Sequence, residues 1–203
     1  MDYLDYEGDS YGLIIGNPPY VVLKKKEVDP KYYDYFDGRP NIFILFIIKS
    51  ISLLDNNGII SFVLPKSFTN CIYYDKTRKY IRENMIILDI LDCEEDYIET
   101  KQETIILIIQ KTQRCEKIRK GINENYIIEK SNYTIFGTKD TIEQLKEFYK
   151  DSTTIRELGF KSSIGTVVWN QKKDILTDDS KKTRLIYNSN IVNNEFVDKD
   201  FKN

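Results

Sequence analysis

Leu13-Ile14-Ile15-Gly16-Asn17-Pro18-Pro19-Tyr20 reads as a short apolar strand that ends abruptly in a stiff polar turn. Two successive prolines fix φ near −65° and remove two backbone donors, so the turn is rigid and its carbonyls are free to accept. An amide side chain precedes the prolines and an aromatic ring follows them. That combination can hold a planar, amino-bearing ring. Asn17 Oδ1 and the Pro18 carbonyl accept from the amino group, and Tyr20 stacks on the ring face.

Working outward, three further runs have the same β-branched, apolar character: Ile59–Leu64, Ile86–Leu91 and Thr104–Gln110. Between the first two runs, apolar residues recur at Phe43, Phe46, Ile47, Leu53 and Leu54, a helical stripe within Asn41–Leu54. Asn41 after Pro40 suits an N-cap, and Asn56-Asn57-Gly58 reads as the end of that helix and the turn after it. Tyr73–Asn84 reads as a short charged helix carrying Arg78, Lys79 and Arg82. Strand, helix, strand, helix, strand implies a parallel sheet covered by helices. The last two runs have only a polar loop between them and can pair antiparallel.

After Thr112 the texture changes to more Lys, Asn and Thr, with one amphipathic helix near Thr141–Tyr149 and strand-like pieces at Thr166–Trp169 and Leu185–Tyr187. A boundary near 113 divides the chain into 1–113 and 114–203. The first part carries 13 Lys+Arg against 18 Asp+Glu and the second 17 against 14, so an acidic body precedes a basic tail.

With 203 residues, 41% hydrophobic and 31% charged, the composition is that of a globular chain. There is neither a run of about 18 apolar residues nor a basic stretch leading into an apolar one at Met1, which leads to the expectation of a cytoplasmic protein with no membrane partner. Cys71, Cys93 and Cys115 form no CxxC pair, so no metal site is expected. Histidine is absent, which removes the commonest general base and every Ser-His or Cys-His nucleophile system. Chemistry here must run on orientation and hydrogen bonding, or on carboxylates and tyrosines.

The strand followed by Asn17-Pro18-Pro19-Tyr20 resembles the catalytic motif of amino-group DNA methyltransferases. Asn41–Pro65, with its helix, Gly turn and strand ending in Pro, looks like the corresponding stretch of the gamma-class adenine enzymes. Tyr97–Ile109 resembles their late loop-strand motif, in which an aromatic residue contacts the flipped base; Tyr97 is the candidate. Asp2 and Tyr3 match the acidic-aromatic motif that binds the adenine of S-adenosyl-L-methionine. Gly159–Trp169 with Leu185–Tyr187 looks like the opening of a target-recognition domain in restriction-modification enzymes.

The resemblance implies an α/β fold, the second half of a Rossmann-like S-adenosylmethionine-dependent methyltransferase sheet, followed by an α+β region. It implies Asn17, Pro18, Pro19 and Tyr20 as catalytic residues, Asp2 and Tyr3 as cofactor-binding and Tyr97 as substrate-binding. It further implies DNA with a flipped adenine as partner, and 114–203 as the beginning of a target-recognition domain. No Gly-rich turn opens a helix before Asn17, since Gly8, Gly12 and Gly16 head none, and no acidic residue follows such a turn for the cofactor's ribose. A fragment or split subunit is therefore expected, with a separate chain as a further partner carrying the missing half. Its first strand would show an apolar edge. An RNA or protein-glutamine methyltransferase, and a non-catalytic DNA-binding or partner-docking remnant, are the alternatives.

Overall fold

All four apolar runs are strands of one sheet: β1 (Tyr11–Gly16), β2 (Leu54–Pro65), β3 (Met85–Cys93) and β4 (Thr104–Lys111). This computed structural model describes residues 3–93, 103–113, 115–130, 133–161, 173–179 and 181–197. The strand order is β1-β2-β4-β3. β1 pairs parallel with β2, and β4 pairs antiparallel with both β2 and β3. The alternating pattern thus gives three strands of one direction, and β4 inserts between two of them in the opposite sense. The short polar link after β3 makes that insertion possible, because an antiparallel neighbour needs no crossover helix.

Helix α1 (Ile42–Ser52) joins β1 to β2, and Asn41 caps it by accepting from the Phe43 amide. Its apolar stripe is wider than the sequence suggests. Phe43, Ile44, Ile47 and Ile51 face the sheet core, while Leu45 and Ile48 join a second small core with Val28, Tyr32 and Phe36. A helix apolar on nearly every side is a buried helix. The loop after the motif, including a 3-10 turn over Pro30–Tyr35, folds back to cover it.

The helix ends at Ser52, before the Asn56-Asn57-Gly58 signal, and the Leu53 amide closes it onto Lys49 and Ser50 carbonyls. Strand pairing begins at once: Leu54 pairs with Tyr11 and Ile59 with Leu13, so Asp55–Gly58 bulge from β2. Asn57 sits there at φ 65°. A Cβ on Gly58 would stand 2.9 Å from the Tyr11 carbonyl. The turn residues therefore make a bulge, not a helix stop.

Helix α2 (Asp75–Asn84) joins β2 to β3. Beyond the sheet come α3 (Glu116–Asn123), an antiparallel hairpin of β5 (Ile127–Lys130) and β6 (Tyr133–Phe136), and α4 (Lys139–Tyr149). The chain gathers into two compact units, 1–152 and 153–203, and the change of composition at 113 lies inside the first. One core holds α1, α2, β5, β6 and the alternate residues Ile60, Phe62, Leu64 of β2 and Ile105, Leu107, Ile109 of β4.

In the second unit Leu185–Tyr187 is irregular and not the expected strand, and Thr166–Trp169 lies outside the described residues. The strands there are β7 (Ile191–Val192) and β8 (Glu195–Phe196), joined by Asn193-Asn194 at φ 53° and 65°. Positive φ at both central residues is the two-residue hairpin turn that asparagine tolerates. Asn190, fully buried, holds the hairpin by accepting from the Tyr187 amide and donating to the Val197 carbonyl.

Candidate active site

The Asn17–Tyr20 turn projects from the carboxyl end of β1, where Gly16 pairs with Phe62 of β2. Asn17 and Pro19 are exposed, Pro18 is buried and Tyr20 is half-buried. The Tyr20 hydroxyl stands 2.9 Å from Asn17 Oδ1 and 2.9 Å from the Val63 carbonyl of β2. With one proton to give, it donates to either oxygen or shares itself between them. An amide oxygen has two lone pairs, so Asn17 Oδ1 keeps one for a second donor while Tyr20 occupies the other. The Tyr20 ring meets Phe43 of α1 edge-on, at 6.1 Å and 87°. The motif is thereby tied to β2 and α1 as well as to its own strand. Beyond it, Val22 bridges to Asn41, and the Ile42 amide donates to the Val21 carbonyl, so the start of α1 is stitched to the turn.

Tyr3 lies further along the same helix. Its ring stacks on Phe46 at 4.9 Å and 21°, and its hydroxyl is 2.7 Å from Ser50 Oγ. α1 therefore carries both Tyr20, at Phe43, and Tyr3, one turn on. Tyr3 also lines a cavity of about 370 Å³ with Tyr6, Tyr11, Leu13, Ile15 and Leu53. Asp2 and Tyr97 lie outside the described residues.

Sequence reasoning passed over a polar cluster at the same end of the sheet. Lys66 follows directly on Pro65; its ammonium is 3.4 Å from Asp92 and 3.5 Å from Glu103, and its amide donates to the Glu103 carbonyl. Burial works against that ammonium, but the two carboxylates outweigh it and hold its pKa above the ordinary lysine value. The cluster joins the end of β3 to the start of β4, and Lys66 also lines a groove of about 630 Å³ with Ser67, Thr69, Asn70 and Thr141. The only local signal for it was a lysine after a strand-ending proline. Among the described residues no group of three or more His, Cys, Asp or Glu side chains could hold a metal ion. No helix among them is long and apolar enough to cross a membrane.

The family model described as Eco57I restriction-modification methylase matches residues 4–98. The modification methylase CviBIII of Paramecium bursaria Chlorella virus NC1A is 32% identical over 120 residues, covering 55% of this chain and 29% of that protein. The type II methyltransferase M.AccI of Acinetobacter calcoaceticus is 24% identical over 180 residues, covering 76% of this chain and 33% of its own length. The chain thus spans about a third of these relatives. Among solved structures, a Listeria monocytogenes protein described as a class I S-adenosylmethionine-dependent methyltransferase aligns with a TM-score of 0.47 at 21% identity, over 54% of this chain and 34% of that one. Asn17–Tyr20 lies within the residues that resemble the Eco57I restriction-modification methylase family model.

Proposed function

We propose that this chain carries the base-holding half of a site-specific, gamma-class DNA adenine methyltransferase. The observation that supports this most directly is Asn17 Oδ1, exposed on a double-proline turn and oriented by Tyr20, inside the restriction-modification methylase stretch. The reaction is transfer of a methyl group from S-adenosyl-L-methionine to the exocyclic amino group of adenine. That amine is a poor nucleophile because its lone pair is delocalised into the ring. Asn17 Oδ1 and the Pro18 carbonyl accept its two hydrogens and draw them out of the ring plane, so the lone pair localises. The remainder is alignment, which can contribute roughly 7–11 kcal/mol. No histidine is required, in keeping with a sequence that has none.

The base must leave the duplex before the amine can be reached. Tyr20, with Tyr97 as partner, offsets part of the unstacking cost, at about 1–3 kcal/mol per stacked base. Residues 114–203 form the beginning of the target-recognition region in this reading.

The described residues do not by themselves fit the methyl donor. The Tyr3 ring is already stacked on Phe46, and the described residues that wall the cavity beside it are tyrosines and aliphatic side chains, with no carboxylate among them. In this reading Asp2 and Tyr3 contribute to a cofactor site whose Gly-rich part comes from another polypeptide segment. Titrating the isolated chain with S-adenosylmethionine is accordingly expected to give no measurable heat; micromolar affinity would overturn the shared-site reading.

The reaction is tested by supplying that other half and offering radiolabelled donor to duplex DNA, to RNA and to a glutamine-containing loop peptide. Label is expected on adenine in DNA alone. Label confined to RNA or to the peptide would move the chain to another methyltransferase class.

A further inference from the structure

Lys66 leaves the sheet at the same end as the candidate site. Tyr20 reaches the Val63 carbonyl of β2, and Lys66 follows three residues further on, about 10 Å along an extended strand. Its ammonium bridges Asp92, near the end of β3, and Glu103, just before β4. The two carboxylates are not equivalent. The Asp92 side chain is 24% exposed, whereas that of Glu103 is 75% exposed. An ion pair so open to water contributes little to stability. Asp92 is therefore the seated partner of Lys66 and Glu103 the exchangeable one.

The space around Lys66 allows such an exchange. On one side lies the groove of about 630 Å³, whose far wall comes from β6 and α4. Ser67, Thr69, Asn70 and Thr141 line it with hydroxyls and an amide, and Glu103 is its one carboxylate among the described residues. On the other side is a pocket of about 310 Å³ that Lys66 and Glu103 also line, together with Asp92 and Thr104. Thr104 is 5% exposed, and its Oγ1 is buried with no hydrogen-bond partner among the described residues. A buried hydroxyl left unpaired is costly, and this one has a proton to give to a carboxylate.

We propose that Glu103 holds, in the free chain, the place on Lys66 that a nucleic-acid phosphate takes in the complex, and that the displaced carboxylate turns toward Thr104. This rests on the reading of the chain as part of a DNA methyltransferase, and it adds a guarded phosphate contact within a few nucleotides of the extruded base. A phosphodiester carries one negative charge, as Glu103 does. The exchange thus leaves the charge on Lys66 balanced, while Asp92 keeps the ammonium in place. The hydroxyls and amide of the groove donate to phosphate oxygens, contacts that fix the register of a strand and carry no base information. The clasp then acts as a filter. A strand that enters the groove releases Lys66, and one that only skirts the site meets the negative charge of Glu103.

The test is fluorescence anisotropy of a labelled DNA duplex with the full chain, alone and reconstituted with the missing half, over a series of salt concentrations. Wild type, Glu103→Gln, Lys66→Met and the double variant are compared. Glu103→Gln should tighten binding by about 3–10-fold. Lys66→Met should weaken it by about 10-fold and lower the salt slope by about one. The double variant is decisive. It should bind as Lys66→Met does, because Glu103 acts only through Lys66. Lys66→Arg should keep the wild-type slope, and Lys66→Gln repeats the measurement where methionine disturbs the turn. If Glu103→Gln tightens binding as much without Lys66 as with it, Glu103 is an ordinary repelling charge and the clasp is overturned. An unchanged salt slope in Lys66→Met, or no DNA binding by any of the proteins, does the same. Competition by millimolar inorganic phosphate that disappears in Lys66→Met means a site for the free anion, which also overturns it. Coupling of Lys66 to Glu103 without methyl transfer leaves the clasp standing and removes the reaction; methyl transfer without coupling does the reverse.

Discussion

Arg78→Met is expected to destabilise the first unit by about 3–5 kcal/mol, the range found when one partner of a buried charge pair is removed. Arg78 is fully buried in α2. Its Nε donates to the Thr134 carbonyl of β6 at 2.6 Å, and Nη1 donates to the carbonyls of Phe68 and Cys71 at 2.8 and 2.9 Å. Asp75, one turn earlier, stands 3.4 Å from Nη2 and accepts from the Thr134 amide at 2.9 Å. Burial lowers the guanidinium's pKa, and the ring of Tyr133 and the Asp75 carboxylate work against that shift. Together Arg78 and Asp75 fasten the β5–β6 hairpin and the turn after β2 to α2. Methionine fills much of the volume but takes the guanidinium from three buried carbonyls, of which the Cys71 carbonyl keeps the Tyr74 amide as donor, and leaves Asp75 with Lys79, 2.8 Å away, as its remaining cation. Arg78→Lys should recover less than half of the loss, since an ammonium lacks the planar fork that reaches separate acceptors. Combining Arg78→Met with Asp75→Asn should cost less than the sum of the two singly, because both remove the same Arg78–Asp75 contact. Urea unfolding of the four proteins measures this. A loss under about 1 kcal/mol for Arg78→Met would mean that the hairpin is held by its apolar contacts instead.

Arg78 also shows where sequence reading stops. On its own, Asp75–Asn84 is a run of charges with few apolar residues, and it reads as a helix facing water. Its burial is decided by a hairpin more than fifty residues away, whose strands of four residues each carry little period of their own. Helix α3 was missed for a related reason. Glu-Lys-Ile-Arg-Lys-Gly-Ile-Asn has two apolar residues and a glycine, and what anchors it is Asn123, which accepts from the Ile87 amide and donates to the Met85 carbonyl across to β3. By contrast β1–β4 and α1 were legible because each holds a nearly continuous apolar run, so period, length and caps agree. The candidate site was legible in its backbone, since two prolines dictate a turn wherever they fall. Its support was not. The hydroxyl of Tyr20 reaching Val63 depends on the parallel pairing of β1 with β2, which brings together residues 43 apart.

That support sets the expected behaviour of Asn17→Ala in the reconstituted enzyme. Methyl transfer should fall by about 10²–10³ in kcat, comparable to removing one preorganised group from a site of developing charge. DNA affinity should stay within a few fold, since Asn17 acts on the amino group and not on the phosphates. The fold should survive, because the side chain is exposed, and alanine removes only its hydrogen bond with Tyr20. Tyr20→Phe separates orientation from acceptance. It keeps the ring against Phe43 and the acceptor at Asn17, but frees the amide to rotate. One hydrogen bond is worth about 0.5–1.5 kcal/mol net, so a drop of about 2–10-fold is expected. If Asn17→Ala and Tyr20→Phe weaken turnover equally, Asn17 does no more than hold the turn. If Asn17→Ala lowers DNA affinity as far as it lowers kcat, its oxygen supports the bound state as a whole and the transition state no more than the rest. A large kcat effect confined to Asn17, with Tyr20→Phe in between, is what an acceptor held in place by its neighbour requires.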